Sequence, residues 1–191
     1  MKGRPEDVTI DDLFPVMSHE PAFAKPSVDG GWWLPLLEKV FAKVNVNYEM
    51  LTSGSQVEAA RFLTGSPAKE FKSGVEDLDE IWLRITSAIK RDDMITAACF
   101  LDTHGLVAGN GYIVKDFLKV QYGDGSDLKL VKMKNPWKVI GDPSFTASSH
   151  GDWVGKFSKS DTKSWTPDLK LRAKLDKLQK GEFFMTIEDF K

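Results

Sequence analysis

The chain holds one cysteine, Cys99, in 191 residues. A lone thiol closes no internal disulfide, which excludes a disulfide-stapled scaffold and makes a reducing, cytoplasmic setting the simplest expectation. No Asn-x-Ser/Thr sequon is present, so nothing marks a glycosylated, secreted chain. No stretch reaches the roughly 18 consecutive apolar residues that a membrane span needs, and the N-terminal segment has no apolar core of a signal peptide. Neither charge is in excess: 26 Lys and Arg stand against 28 Asp and Glu, a formal net charge of -2. That balance argues against a nucleic-acid partner and against an acidic solvating tail. Histidine is scarce as well. His19, His104 and His150 stand at no metal-ligand spacing with one another or with Cys99.

What is present is an ordinary globular composition, 41% hydrophobic and 28% charged. Proline-containing, non-periodic chain precedes Trp32, with one short strand expected from Val8 to Phe14. Trp33, Leu36/Leu37, Val40/Phe41, Val44 and Tyr48 then recur at helical spacing, which predicts an amphipathic helix ending near Tyr48 to Leu51. Ser55-Gln-Val-Glu58 is a capping box, and Gly65 suits the left-handed end of the short helix it opens. Leu78, Ile81/Trp82, Ile85 and Ile89 predict a third helix. Asp and Glu fill its first turn and Lys90 and Arg91 its last, both favourable against the helix dipole.

Beyond residue 93 the period shortens to two. Met94–Phe100, Gly105–Val114, Phe117–Gln121 and Leu128–Lys134 read as strands, with a turn over 122–126. Thr166-Pro167 is an N-cap followed by proline at the first helical position, predicting a helix through Leu171, Leu175 and Leu178 to Gly181. Phe183, Met185 and Ile187 alternate as a last strand. Residues 138–151 are polar and carry no period. Helices first and an antiparallel-type sheet second make the class α+β. A division is expected near 52–56 or 65–75, and the preferred split is 1–55 and 56–191.

Several pieces, in order, resemble the calpain-type cysteine protease domain. They are Asp11-Asp12-x-x-Pro15; Trp33 with Leu36-Leu37-Glu38-Lys39 and Tyr48-Glu49-x-Leu51; Phe62-Leu63-Thr64-Gly65; Gly105-Leu106-Val107 with Gly109 and Tyr112; Asn135-Pro136-Trp137; Asp152-Trp153-x-Gly155; Trp165; and Gly181-Glu182-Phe183 with Met185. No single piece is specific, but their order and spacing together are. The resemblance implies a papain-like half: residues 1–55 as the remnant of the cysteine-bearing lobe, ending in a long helix, and 56–191 as the lobe that carries histidine and asparagine.

In such proteases a thiolate attacks the peptide carbonyl, histidine moves the proton, and asparagine orients the imidazole. The resemblance puts the nucleophile in a Gly-x-Cys-Trp segment ahead of Asp11-Asp12, and these residues contain no such segment. Cys99 lies in the apolar run Ile95–Phe100 and reads as a small strand hydrophobe. The histidine position is filled by Asn110. A carboxamide has no lone pair basic enough to take a proton near neutral pH. His104 is six residues away, about 20 Å along an extended strand, too far for a register slip to bring it in. Asn135 matches the third position with Trp137 beside it. With no imidazole to orient, Asn135 is read as a cap of its strand corner rather than as part of a reaction. Asn110, Asn135 and Trp137 are thus a vestigial site.

The resemblance also implies calcium. Asp152 and Glu182 stand at ligand positions, but Lys159 and Lys180 fill two others. Calcium takes about six to eight oxygens with several carboxylates, so this degenerate site is expected not to function, and no cofactor is expected unless the family site survives. Lys159 and Lys180 are instead expected to pair with Asp152 and Glu182. Lys138 replaces a family glycine, and the link to His150 is expected to cover the cleft. Together these departures predict an inactive calpain-like chain kept for binding or assembly. The alternative is part of a calcium-dependent cysteine endopeptidase acting on intracellular proteins. Trp32 and Trp33 are the expected surface for a protein partner or self-association.

Overall fold

The computed structural model describes residues 7–27, 29–122, 124–136 and 152–191. They form two compact units, Met1–Glu70 and Phe71–Lys191. The division falls inside the 65–75 window. The helix at 56–64 belongs to the first unit, where Phe62 packs on Phe41 with ring centroids 4.5 Å apart.

In the first unit, residues 8–14 form no strand. The Asp11 carboxylate accepts the Leu13 N–H at 2.9 Å, which turns the chain. The ammonium group of Lys39 then holds the Asp11 carboxylate and the Leu13 carbonyl. A local turn and a lysine from α1 take the polar groups that a ladder would have used. A two-residue hairpin follows, β1 (Val16–Met17) with β2 (Glu20–Pro21), turned by Ser18 and His19 at φ 52 and 70. Helix α1 is Trp33–Val44. It stops short of Tyr48 because Asn45 donates both its backbone N–H (3.0 Å) and its side-chain amide (2.9 Å) to the Phe41 carbonyl. A single 3-10 turn, Glu49–Leu51, follows. Ser55 caps helix α2 (Gln56–Thr64), which ends on Gly65 at φ 67.

In the second unit, Asp77 caps helix α3 (Leu78–Lys90) by accepting the Asp79 N–H at 2.8 Å. The sheet order is β3-β4-β5-β6, all antiparallel: β3 Ile95–Ala98, β4 Gly111–Gln121, β5 Asp127–Lys134 and β6 Glu182–Thr186. Two expected strands are thus one, β4, with a bulge between Val114 and Asp116 absorbing the phase change between them. Strand pairing begins only at Gly111; the stretch from Thr103 to Asn110 is turns. Helix α4 is Pro167–Arg172, and Lys174 at φ 50 breaks it before a 3-10 turn at Leu175–Lys177. Ile187 is not a strand residue. The Thr186 hydroxyl accepts the Asp189 N–H at 3.1 Å and starts α5 (Ile187–Phe190).

The class is α+β, as the sequence implies. The sheet is covered on both faces, so β6 is buried at every residue instead of alternating. Phe183 and Met185 join Ile81, Ile85, Tyr112, Val131 and Trp153 on one side. Phe184 joins Phe157, Trp165, Leu169 and Leu130 on the other. Each such buried side chain contributes on the order of 2 kcal/mol, so the two clusters hold the sheet rigid. Among the described residues no helix is long and apolar enough to cross a membrane.

Candidate functional site

The turn from Thr103 to Asn110 is built on backbone geometry that its glycines make possible. Gly105 sits at φ +89, and a Cβ there would lie 2.2 Å from the Asp152 carbonyl oxygen. The close approach lets Val154 donate its N–H to the His104 carbonyl at 2.8 Å. Gly109, at φ +77, donates its N–H to the Cys99 carbonyl at 3.0 Å. The Val107 peptide is held from both sides. Its N–H donates to the Tyr112 hydroxyl at 3.0 Å, and its carbonyl accepts the Asn110 N–H and the Cys99 thiol, each at 3.2 Å. The Asp102 carboxylate closes the turn on the Ala108 N–H at 2.8 Å.

This turn delivers Asn110 to the start of β4. Asn135 follows the last residue of β5, and the pairing of Ile113 with Lys134 puts both asparagines at one end of the β4–β5 hairpin. Asn135 is 1% exposed, and its N–H donates to the Gly181 carbonyl at 2.9 Å. Trp137, the covering link from Lys138 and His150 lie outside the described residues.

The chemistry available at this end is limited. The Asn110 side chain lies near the Tyr112 hydroxyl, and an amide in that position accepts no proton. Burial pushes the Tyr112 hydroxyl above its ordinary value, so it is a neutral donor and acceptor at physiological pH. Burial also pushes the Cys99 thiol up. A protonated thiol resting on a backbone carbonyl is a poor nucleophile. His104 is exposed, its ring tilted 48° against that of Trp153 with centroids 5.2 Å apart, and its Nδ1 is 2.9 Å from the Thr103 hydroxyl. The chain between His104 and Asn110 is turned rather than extended, so the expected separation of about 20 Å, which assumed a strand rise per residue, does not apply. What fixes His104 is Trp153 and Thr103.

The positions linked to calcium lie at the same end of the sheet, Glu182 paired with Lys134 and the Asp152 carbonyl against Gly105. Glu182 is 4% exposed, and its carboxylate takes Lys132 Nζ at 2.9 Å and the Gln179 N–H at 3.0 Å. Burial pushes this carboxyl up. The hydrogen bond from Lys132, the Gln179 N–H and the charges of Lys132 and Lys134 outweigh it and hold the group below its usual value. Lys159 donates to the Gln179 carbonyl at 3.1 Å. The partner of Glu182 is therefore Lys132, not Lys159 or Lys180. Lys132 was missed in sequence; the alternation Lys132-Met133-Lys134 puts two ammonium groups on one face of β5, opposite Glu182, once the β5–β6 pairing is set. Among the described residues no group of three or more His, Cys, Asp or Glu side chains is placed to hold a metal ion. A carboxylate already neutralised by lysine, next to a carbonyl already taken by another, does not fit a calcium ion.

The glycine-shaped turn, the long antiparallel hairpin and the two asparagines at its end belong to an α+β unit. The chain belongs to the calpain family of cysteine proteases: the family profile described as Calpain family cysteine protease matches residues 1–191. It is 32% identical to calpain-9 of Mus musculus over 97% of this chain and 26% of that protein. It is 30% identical to the calpain-1 catalytic subunit of Homo sapiens over 96% of this chain and 25% of that protein. The chain thus spans about a quarter of the length of the curated relatives it matches.

Proposed function

We propose that this calpain-family chain does not hydrolyse peptides and serves as a binding or assembly module in the cytoplasm. The observation that carries the reading is Asn110. At the position where the family resemblance puts the proton-transferring histidine stands a carboxamide, that of Asn110. Without a base the site neither activates a thiol nor protonates a leaving amine. Asn135 then acts as a strand-end cap.

Calcium has no part in this reading, since Lys132 neutralises Glu182 and Lys159 holds the adjoining loop. The binding surface is assigned to the first unit, where Trp32 and Trp33 at the start of α1 are 44% and 62% exposed. Exposed paired indoles favour a protein partner or a second copy.

The family match favours a second reading, in which a longer protein with this region is a calcium-dependent cysteine endopeptidase. One experiment separates the two. A cysteine-bearing calpain lobe is joined ahead of this chain, and hydrolysis of a fluorogenic peptide is measured with and without calcium. The expected result is no turnover with Asn110 in place. Turnover by that fusion overturns the proposal. Light scattering across concentration tests the surface: a strict monomer that pulls down no partner argues against it.

A further inference from the structure

A serine or threonine followed directly by proline occurs twice, at Ser66-Pro67 and Thr166-Pro167. The fold treats the two in opposite ways. Thr166 is the N-cap of α4: its hydroxyl accepts the Leu169 N–H at 3.2 Å, and Pro167 is already helical. Trp165 before it and Leu169 after it are buried. Ser66 lies in a stretch without helix or strand, residues 65–72, and both Ser66 and Pro67 are exposed. Its backbone N–H donates to the Thr64 hydroxyl at 3.1 Å, while its own hydroxyl has no hydrogen-bond partner among the described residues. We propose that Ser66 is a phosphorylation site for a proline-directed protein kinase.

The surroundings of Ser66 meet what such an enzyme requires. A kinase grips its acceptor as an extended segment, so a hydroxyl bound into a helix cap must first be released. Ser66 needs no such opening, because Gly65 at φ 67 has already ended α2. Proline after the acceptor has no N–H, so an apolar enzyme pocket takes it without stranding a donor. Lys69, three residues after Ser66, is exposed and in no ion pair among the described residues, and its ammonium group is open to an acidic contact. The same place after Thr166 holds the buried Leu169, and Asp168 before it is paired with Arg172 at 2.8 Å.

In the transfer, the Ser66 Oγ bonds to the γ-phosphorus of ATP as the bond to the β-phosphate oxygen breaks. The hydroxyl proton passes to the carboxylate base of the kinase, and ADP leaves. The product carries a charge of about -1.5 to -2 near neutral pH. It stands one residue beyond the C-cap of α2, where the helix dipole opposes an anion. Arg61 offsets this. Its guanidinium, from the last turn of α2, reaches the Ala68 carbonyl at 2.6 Å, on the far side of Ser66 in sequence. A full positive charge outweighs the roughly half charge of a helix end, and a phosphate is a stronger acceptor than a neutral carbonyl. Arg61 is therefore expected to leave Ala68 for the phosphoserine. This site is separate from the Asn110 turn and stands or falls independently of the proposed function.

The test uses the whole chain with a cyclin-dependent kinase, ATP and magnesium, and a peptide substrate of that kinase as the control for its activity. Intact mass is expected to show one phosphoryl group per chain, and fragment masses to put it on Ser66 with Thr166 unmodified. Ser66→Ala should abolish incorporation, and Lys69→Gln should slow it several-fold. No incorporation while the control peptide is turned over overturns the site. So does incorporation that survives Ser66→Ala, or equal modification of Thr166. Equal rates for Lys69→Gln and the wild type refute the part given to the lysine. Phosphorus NMR of the product across pH then tests Arg61. The phosphoserine is expected to titrate below the value of about 6 for an unpaired phosphate, and Arg61→Gln to bring it back up; an unmoved titration refutes the pairing.

Discussion

Replacing Glu182 by glutamine tests whether lysine has taken over the role of an ion in this lobe. The substitution keeps the shape and an oxygen that can accept the Gln179 N–H, and removes only the charge opposite Lys132. Glu182 is 4% exposed, while the Lys132 side chain is 22% exposed. Removing one partner of a fully buried pair costs about 3–5 kcal/mol. Lys132 keeps some access to water and the Gln179 bond survives, so the expected loss is lower, about 2–3 kcal/mol. Hydrogen exchange of the β5–β6 amides reads that loss locally, and urea unfolding at pH 7 reads it for the unit.

The pH dependence has a definite sign. The folded carboxyl is held below its unfolded value of 4.5. Between the two values the unfolded chain binds the proton and the folded chain does not, so stability rises with pH there. The contribution is complete above about 4.5 and is lost as pH falls through the folded value. Glu182→Gln should remove that part of the acid-side slope. Calcium should not stabilise the wild type, whereas a real site filled to a hundredfold over its Kd would add about 2.7 kcal/mol. A loss under about 0.5 kcal/mol, the scale of an exposed pair, or a calcium-dependent rise in stability would refute the reasoning.

Further outcomes follow from the same geometry. Gly105→Ala should cost about 3 kcal/mol or more in thermal unfolding, since it combines a left-handed φ with a collision against the Asp152 carbonyl. Gly109→Ala meets no atom within 4 Å and should cost only the left-handed penalty of about 1–2 kcal/mol; equal losses would sink the close-approach argument. Cys99 should alkylate more slowly at pH 7 than a free thiol and speed up as pH rises, because burial holds the thiol protonated. A rate matching a model thiol contradicts that. Thr186→Ala removes the cap of α5 and should destabilise by about 1 kcal/mol, with faster exchange at Asp189; unchanged exchange there would remove Thr186 as the cause of the strand's end.

Local chemistry carried most of the element identities. Ser55 and Thr166 each cap the helix that the sequence assigns them, because a cap is a bond between residues two or three apart. The misread stretch 105–110 shows where local reasoning stops. Leu106-Val107-Ala108 is apolar and reads as strand, but its hydrogen bonds go to Tyr112, Cys99 and Asp102 instead of a neighbouring ladder. Only the glycines at 105 and 109 hinted at a positive-φ turn. The Glu182 partner was hidden for another reason. Lys159 and Lys180 were expected from family positions, while the ion pair is chosen by strand register, which pairs Lys134 with Glu182 and so sets Lys132 on the same face. Once that register exists, a carboxylate buried beneath it needs a cation that the fold already supplies. An ion that arrives from solvent would have to displace Lys132 from 2.9 Å and leave an ammonium group without its partner. At the same end of the hairpin, Asn110 sets a non-titrating carboxamide beside the Tyr112 hydroxyl.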